Sequence, residues 1–352
     1  DTLWDYYTHR YHPKPPYQHT VGRRFSKNDL NVMVCDVCRV VWGSRERSAI
    51  VEGTVGVTVE GTVEGDVSNA SPTPSPTLSP TPSPTPPETT PPVPMDPSKP
   101  FVAVVMCATA KGVTPQDFNH MALGKLMLPS LLRTMESDTY RYEVFVGVDD
   151  DDTFWMAEKH QQELQRRAGN LPVHVHGFSN PDHHIPLNEI LKVAKDAGAD
   201  YLVRINDDTA FETLGWTTLG VQTLVAYDPP NVGVVGPTCH EGKTDILTHD
   251  MVHKTHMDIF EDTYYADEFD NWWLDDWITH VYGPQHTTNL PGWVVKHHTG
   301  HHGTRYTVRQ KGHLLKDEVA KGHKKVAAWV ETNTTSHSPY ARINTWLSTI
   351  DG

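Results

Sequence analysis

Apolar and polar positions follow two different periods after residue 100, and the changes of period predict successive strands and helices. Short apolar or alternating runs are typical of buried strands, and they lie at residues 101–106, 142–148, 173–177, 201–205 and 231–235. Segments with helical spacing lie between them, at residues 116–135, 153–167, 186–197 and 212–226. The alternation predicts an α/β fold with a Rossmann-type, mostly parallel sheet flanked by helices, and it places any site at the carboxyl ends of the strands.

Residues 71–100 form a Pro/Ser/Thr-rich segment that contains thirteen of the chain's 27 prolines. Proline fixes φ and lacks a backbone donor, so this stretch is unable to join a helix or a central strand. We expect an extended linker of polyproline-II type, and its Ser/Thr/Pro alternation is typical of an O-glycosylated stalk. The linker divides the chain into an N-terminal segment over residues 1–70, the linker itself, and a main domain over residues 101–352.

The N-terminal segment alternates β-branched residues with small or acidic ones over residues 31–42 and 49–67. This pattern predicts a small β-rich unit, or an arm that pairs with another chain. Because an unpaired strand edge tends to associate, we expect self-association through residues 1–70.

Charge and composition narrow the classes of function. The chain has 44 acidic against 30 basic residues and a net charge of −14, which repels phosphate backbones and argues against a nucleic-acid partner. No apolar run approaches the roughly 18 residues that a membrane-spanning helix needs, so no transmembrane segment is predicted. Four cysteines in 352 residues do not make a disulfide scaffold, and the fold must rest on its core.

Several features favour a location in the secretory pathway lumen (Golgi-like) or outside the cell. The chain begins with Asp1 rather than Met, which suggests a processed or trimmed product. The tripeptides that begin at Asn69 and at Asn333 match the N-glycosylation pattern. A stalk of the kind predicted for the linker is also typical of secreted glycoproteins.

Two acidic clusters follow predicted strands. Residues 149–152 (DDDD) come after the strand YEVFVGV, and residues 206–208 (NDD) come after the strand YLVRI. Like charges packed together cost free energy unless a cation or a hydrogen-bond donor compensates them. A hard divalent cation with oxygen ligands does so and leaves positions for substrate phosphates. We therefore expect the two clusters to share a cleft and a divalent cation, Mn²⁺ or Mg²⁺.

The order of these motifs resembles that of the GT-A-fold glycosyltransferases: a strand ending in Asp, a helix with P-x-N and A-x-x-x-G, then YLVRINDDT. The resemblance covers the main domain and implies a nucleotide-sugar donor. It also implies that Asp208 is the main metal ligand, and that Asn206, which stands where the family has Asp, is a weaker one. The other implied donor contacts are Thr109, Asp149, Asp150, Asp151, Asn206 and Asp207.

The segment NWWLDDW at residues 271–277 resembles the acidic-pair-plus-Trp motif of inverting GT-A enzymes such as those of family 2. The resemblance implies that a carboxylate, Asp275 or Asp276, removes the proton of the acceptor hydroxyl. The two are adjacent, so spacing leaves the choice open; we favour Asp275. The tryptophans implied to contact the acceptor are Trp272, Trp273 and Trp277. A buried Trp cluster with capping carboxylates is the alternative.

A histidine-rich tract lies at residues 297–302. The family resemblance implies that a histidine here, His297 or His298, completes the metal site, and that Arg305 clamps phosphate oxygens bidentately. A zinc site is one alternative, because imidazole suits Zn²⁺, and a solvated polar loop is another.

Taken together, the resemblance implies metal-dependent transfer of a sugar from a nucleotide diphosphate to a hydroxyl of a glycan, a glycoprotein or a small molecule, with inversion. A second hypothesis is a secreted structural or fibre-forming glycoprotein subunit whose GT-A-like domain does not turn over. A third is a sugar-binding module, which predicts binding of a glycan without a nucleotide.

Overall fold

The computed structural model describes residues 96–180, 184–301, 306 and 308–333, together with the backbone of three short strands nearer the N-terminus. The chain divides into two units, Asp1–Thr85 and Pro86–Gly352. Within the described residues, no helix has both the length and the apolar character that crossing a bilayer requires.

The first unit contains an antiparallel sheet of strands β1 (Phe25–Ser26), β2 (Asn31–Val34) and β3 (Val41–Ser44), in that order. The alternating pattern predicted over residues 31–42 therefore belongs to two paired strands, β2 and β3. The second alternating run at residues 49–67, Asn69 and nearly all of the Pro-rich segment lie outside the described residues.

The second unit is built on one eight-stranded sheet in the order β6-β5-β4-β7-β10-β9-β11-β8. Its strands are β4 (Phe101–Cys107), β5 (Arg141–Asp149), β6 (Val173–Phe178), β7 (Tyr201–Arg204), β8 (Thr209–Phe211), β9 (Val234–His240), β10 (Asp250–His253) and β11 (Thr287–His297). Strands β6, β5, β4 and β7 pair with one another in parallel, in that order. The predicted α/β class is confirmed.

The other half of the sheet is mixed, which the predicted βα alternation did not anticipate. Strand β10 lies between β7 and β9 and is antiparallel to both. Strand β11 pairs in parallel with β9 and antiparallel with β8. The β11–β9 register shifts between Leu290 and Val294, because Leu290 pairs with Pro237 whereas Val294 pairs with the next residue, Thr238.

Seven α-helices occur in the described part of this unit. They are α1 (Leu128–Thr134), α2 (Glu158–Ala168), α3 (Leu187–Asp196), α4 (Trp216–Ala226), α5 (Thr255–Ile259), α6 (Leu274–Val281) and α7 (Leu315–Asn333). The helix predicted over residues 116–135 is shorter than expected: a π-helical turn at Leu123–Met127 leads into α1, whose first turn holds Pro129. The helix predicted over residues 212–226 begins only after Gly215, because that residue has a left-handed φ of 74°.

The sheet is buried on both faces, which explains the uninterrupted apolar run of β4. Val102, Val104 and Met106 belong to a core shared with α1, α2 and α4. The alternate residues Phe101 and Ala103 belong to a second core shared with α3, α6 and α7. Period-2 alternation places successive side chains on opposite faces, so a strand covered on both sides is apolar throughout.

Candidate active site

A cleft of about 480 Å³ opens at the carboxyl ends of β4 and β7 and brings together most of the predicted metal and catalytic residues. This is the edge at which a parallel α/β sheet binds ligands. The predicted residues in its lining are Asn206, Asp207, Asp208, Trp272, Trp273, Asp275, Asp276 and His297. Two unpredicted cations, Arg204 and Lys243, also line it.

Asp208 and His297 meet at one end of this cleft. The Nε2 atom of His297 lies 3.1 Å from Oδ1 of Asp208 and 3.1 Å from the side-chain amide nitrogen of Asn206. Strand pairing produces the contact, because His297 at the end of β11 pairs with Thr209, the residue after Asp208. The side chain of His297 is largely buried, with 15% exposed.

The donor set at this point suits a divalent cation held by few protein ligands. Two ligands about 2.1 Å from a metal and at right angles to each other lie roughly 3 Å apart, close to the Asp208–His297 separation. A flip of the Asn206 amide presents oxygen where its nitrogen now lies. Imidazole with carboxylate and amide oxygens suits Mn²⁺ better than Mg²⁺, which prefers oxygen alone. The residues present therefore fit the metal that the sequence predicted.

The zinc alternative has no ligand set among the described residues, which do not include His302 of the histidine-rich tract. Across the described residues, no three His, Cys, Asp or Glu side chains converge as metal ligands. A structural zinc site takes four such ligands in a tetrahedron.

Asp275 lies in the first turn of α6 and contacts a buried arginine. Nη1 of Arg204 lies 3.0 Å from Oδ1 of Asp275, and the Arg204 side chain is only 5% exposed. Burial raises the pKa of Asp275, and the positive charge of Arg204 acts in the opposite direction. Burial opposes the charge of Arg204, but Asp275, Tyr265, Asp250 and Tyr264 together outweigh it, and the pKa of Arg204 is raised.

Asp276, the next residue on α6, is held differently. Its Oδ1 accepts a hydrogen bond of 2.6 Å from Nζ of Lys243, a side chain that is 49% exposed. The two adjacent carboxylates thus differ in their cations: a buried arginine on the sheet for Asp275, and an exposed lysine on a loop for Asp276.

The three predicted tryptophans have different environments. Trp272 is 49% exposed and Trp273 is half-buried, and both line the cleft. Trp277 is only 2% exposed and packs in the second core, with its ring centroid 5.2 Å from that of Phe260. Its burial one turn along α6, against Phe260 and helix α7, removes Trp277 from the acceptor-binding set.

The first acidic cluster does not share this cleft. Asp149 is buried, and its two oxygens accept hydrogen bonds from Lys111 (2.9 Å) and from Asn180 (2.7 Å). Lys111 also lies 3.0 Å from Asp151. A lysine, and not a divalent cation common to both clusters, therefore compensates these carboxylates. The expectation of one shared cation is corrected accordingly.

The remaining residues of the first cluster hold the loop in shape or face solvent. Asp152 accepts from the Thr109 hydroxyl at 3.0 Å and from the Ala110 backbone at 2.7 Å. Asp150 is exposed. Neither Thr109 nor residues 149–151 line the cleft.

Three other predicted residues lie apart from this site or outside the described chain. The backbone N–H of His298 donates to the Asp208 carbonyl at 2.9 Å, but its side chain does not line the cleft. Arg305 lies outside the described residues. Asn333 is an exposed residue at the end of α7, where its side chain donates to the Trp329 carbonyl.

Arg204 was not predicted as a site residue, although the sequence contains a signal for it. It interrupts the otherwise apolar strand YLVRI, and a charged residue inside a buried strand needs a partner. The sequence contains no comparable signal for Lys243, because the polar loop between β9 and β10 shows no pattern that marks this lysine as a site residue.

No protein-family model matches the chain, and no curated protein is similar to it. Solved structures of low similarity include the mannosyltransferase PcManGT from Pyrobaculum calidifontis in complex with GDP-Man and Mn²⁺, at 12% identity and a TM-score of 0.40, over 73% of this chain and 70% of that one. TarS from S. aureus has 15% identity and a TM-score of 0.40, over 72% and 46%. GalNAc-T7 with UDP, GalNAc and Mn²⁺ has 10% identity and a TM-score of 0.42, over 72% and 54%. The chain thus spans about half the length of the last two.

Proposed function

We propose that the main domain is a GT-A-type glycosyltransferase that moves a sugar from a nucleotide-diphosphate donor to an acceptor hydroxyl with the help of Mn²⁺ or Mg²⁺. One observation carries the proposal. The donor set of Asp208, His297 and Asn206 lines the same cleft as the carboxylate pair Asp275 and Asp276. A metal bound by the first set and a proton-accepting carboxylate of the second would therefore contact the same substrate.

The charges in the cleft suit a diphosphate only when a cation is present. Four carboxylates line it, from Asp207, Asp208, Asp275 and Asp276, against the two basic side chains Arg204 and Lys243. A divalent metal held by Asp208, His297 and Asn206 supplies Lewis-acid stabilisation of the leaving diphosphate. Lys243 is the exposed one of the two basic side chains, and it would contact phosphate oxygens by leaving Asp276.

The acceptor would react by a single displacement with inversion. Asp275 accepts the proton of the acceptor hydroxyl, the acceptor oxygen forms a bond to the anomeric carbon, and the bond from that carbon to the diphosphate breaks with its electron pair on the diphosphate. Asp275 is preferred to Asp276 because its cation is fixed in the sheet. A product with retained anomeric configuration would exclude this mechanism.

Trp272 and Trp273 offer the acceptor an apolar surface. An indole face packs against the C–H groups of a sugar ring, and this favours a glycan or a glycoprotein as acceptor. The Ser/Thr/Pro-rich segment and the N-glycosylation tripeptides support action in the secretory pathway lumen or outside the cell, on acceptors of that compartment.

The test is turnover of a panel of UDP- and GDP-sugars with Mn²⁺, followed as release of the nucleotide diphosphate. We expect one donor to be consumed, and we expect Asp208→Ala to abolish both turnover and Mn²⁺-dependent nucleotide binding. Asp138→Ala removes an exposed aspartate outside the cleft and serves as the control. A sugar-binding module would bind glycans without nucleotide, and a structural subunit would bind neither.

A further inference from the structure

Arg204 is a charged residue at the end of a buried strand, with only 4% of its surface exposed. Its Nη1 atom forms an ion pair with Asp275 Oδ1 at 3.0 Å and also donates to the carbonyl of Thr248. Burying a guanidinium costs several kcal/mol unless its partners are well placed. Apolar side chains would pack β7 against α6 more favourably than this ion pair does. The buried charge of Arg204 therefore requires a further explanation.

The surroundings of Arg204 fix its position. Asp250, its register partner on β10, is fully buried. The carboxylate of Asp250 accepts hydrogen bonds from the hydroxyls of Tyr264 and Tyr265, the latter at 2.7 Å. The Arg204 guanidinium carbon lies 6.0 Å from the centroid of the Tyr265 ring. The Thr248 carbonyl and the Tyr265 ring therefore hold the guanidinium of Arg204, which leaves it little freedom to follow a moving partner.

The ion pair also orients Asp275. Its Oδ1 atom is buried 3.0 Å from Arg204 Nη1 without a hydrogen bond from any described residue, and 27% of the Asp275 side chain remains exposed. Because Oδ1 is buried and Asp275 lines the cleft, Oδ2 is the oxygen left to contact an acceptor.

We propose that Arg204 is a positioning residue that fixes the Asp275 carboxylate with Oδ2 toward the acceptor hydroxyl. The inference rests on the proposed glycosyl transfer and adds a role for Arg204, which acts through Asp275. A carboxylate without this partner can rotate about its side-chain torsions, and proton acceptors lose efficiency when they leave hydrogen-bond distance of the proton.

The test is a double-mutant cycle on the turnover of the donor identified above, with Arg204→Lys and Asp275→Asn singly and combined. Arg204→Gln keeps a donor for the Thr248 carbonyl without the charge, and it replaces Arg204→Lys if that variant does not fold. Arg141→Lys is the matched control, since Arg141 is a half-buried arginine of the same sheet, 3.8 Å from the Phe101 ring centroid and outside the cleft.

We expect Arg204→Lys to lower kcat by about tenfold or more and to change the donor KM less than about twofold. Asp275→Asn should lower kcat about 100-fold or more. The double variant should be no slower than Asp275→Asn alone, because both changes act on the same group, the Asp275 carboxylate. Arg141→Lys should leave kcat unchanged.

Three results would overturn the inference while leaving glycosyl transfer in place. They are losses that multiply in the double variant, a loss confined to the donor KM, and an Arg204 variant with lowered thermal stability but normal kcat. The last would show a purely structural ion pair. Absence of turnover by the wild-type protein with every donor would instead remove the proposed function, and this inference with it.

Discussion

The imidazole of His297 lies 3.1 Å from the carboxylate of Asp208, although the two residues come from distant parts of the chain. Their contact follows from the antiparallel pairing of β8 with β11, which sets His297 opposite Thr209. A metal-binding pair built on strand ends is held by the backbone hydrogen bonds of the sheet. This rigidity keeps the two donor atoms at a separation suited to adjacent ligands of one cation.

His297→Gln should weaken Mn²⁺ binding at least about tenfold, because it removes the imidazole that lies 3.1 Å from the Asp208 carboxylate. Isothermal titration of Mn²⁺, or the electron paramagnetic resonance signal of free Mn²⁺, measures the affinity. His298→Gln is the matched control: the side chain is adjacent in sequence but does not line the cleft. Equal losses in the two variants would contradict the assignment of His297.

Trp272→Ala should weaken binding of the acceptor, whereas Trp277→Ala should lower the free energy of unfolding. Trp272 is 49% exposed, so its loss should raise the acceptor KM and leave the free energy of unfolding within about 0.5 kcal/mol of wild type. Trp277 is 2% exposed, so its loss should cost about 3–5 kcal/mol of stability through the cavity it leaves. Urea denaturation and acceptor saturation curves measure the two effects. A destabilised Trp272 variant with a normal acceptor KM would contradict this division.

Lys243→Ala should raise the donor KM by about tenfold, because it removes the exposed cation of the cleft that is able to contact phosphate oxygens. Lys254→Ala provides the control, since Lys254 is similarly exposed (47% against 49%) and pairs with Asp200 away from the cleft. Initial rates at varied donor concentration give the comparison. Unchanged donor saturation in Lys243→Ala would assign the phosphate contact to another residue.

Acid should destabilise the domain through its buried histidines. His256 is fully buried between the Tyr282 hydroxyl and the Tyr264 carbonyl, and burial lowers its pKa to about 4. The unfolded chain takes up a proton near pH 6.5 whereas the folded chain does not, so stability is present above pH 6.5 and is lost as the pH falls toward 4. One such histidine accounts for about 3 kcal/mol at pH 4.

Denaturant midpoints at pH 7.5 and pH 5 measure this loss. His256→Gln keeps hydrogen-bonding groups at this position but has no side chain that takes up a proton. The free energy of unfolding of this variant should therefore fall by about 2 kcal/mol less than that of the wild type between pH 7.5 and pH 5. His313→Gln changes an exposed histidine and should lose as much stability between these two pH values as the wild type does. Parallel pH dependence in all three proteins would show that His256 is not responsible.

The parallel half of the sheet could be predicted because β4, β5 and β7 are largely apolar and helices α1, α2 and α3 lie between the successive strands β4, β5, β6 and β7. The antiparallel strand β10 could not, since DMVH is short and carries polar residues at both ends. Its burial depends on Arg204 and on two tyrosines that lie later in the chain. Local sequence patterns do not predict contacts between residues that lie far apart in the chain.

The candidate site was predictable to a similar extent. Asp208, Asp275 and Asp276 lie in short acidic motifs that are visible without a structure, and all three line the cleft. Sequence alone could not show that Lys111 compensates Asp149, because that contact depends on the path of the loop after β4. Nor could it distinguish exposed Trp272, which lies before α6, from Trp277, whose burial depends on the packing of α6 against α7.

The register shift in β11 determines where the domain tolerates changes of length. Residues 291–292 lie in the irregular stretch between Leu290 and Val294, where an inserted residue enlarges the bulge and leaves the later pairs intact. An insertion between Val295 and His297 instead reverses the face on which the imidazole lies, because side chains alternate along a strand. Homologues that keep His297 beside Asp208 should therefore vary in length before Trp293 and remain constant after it.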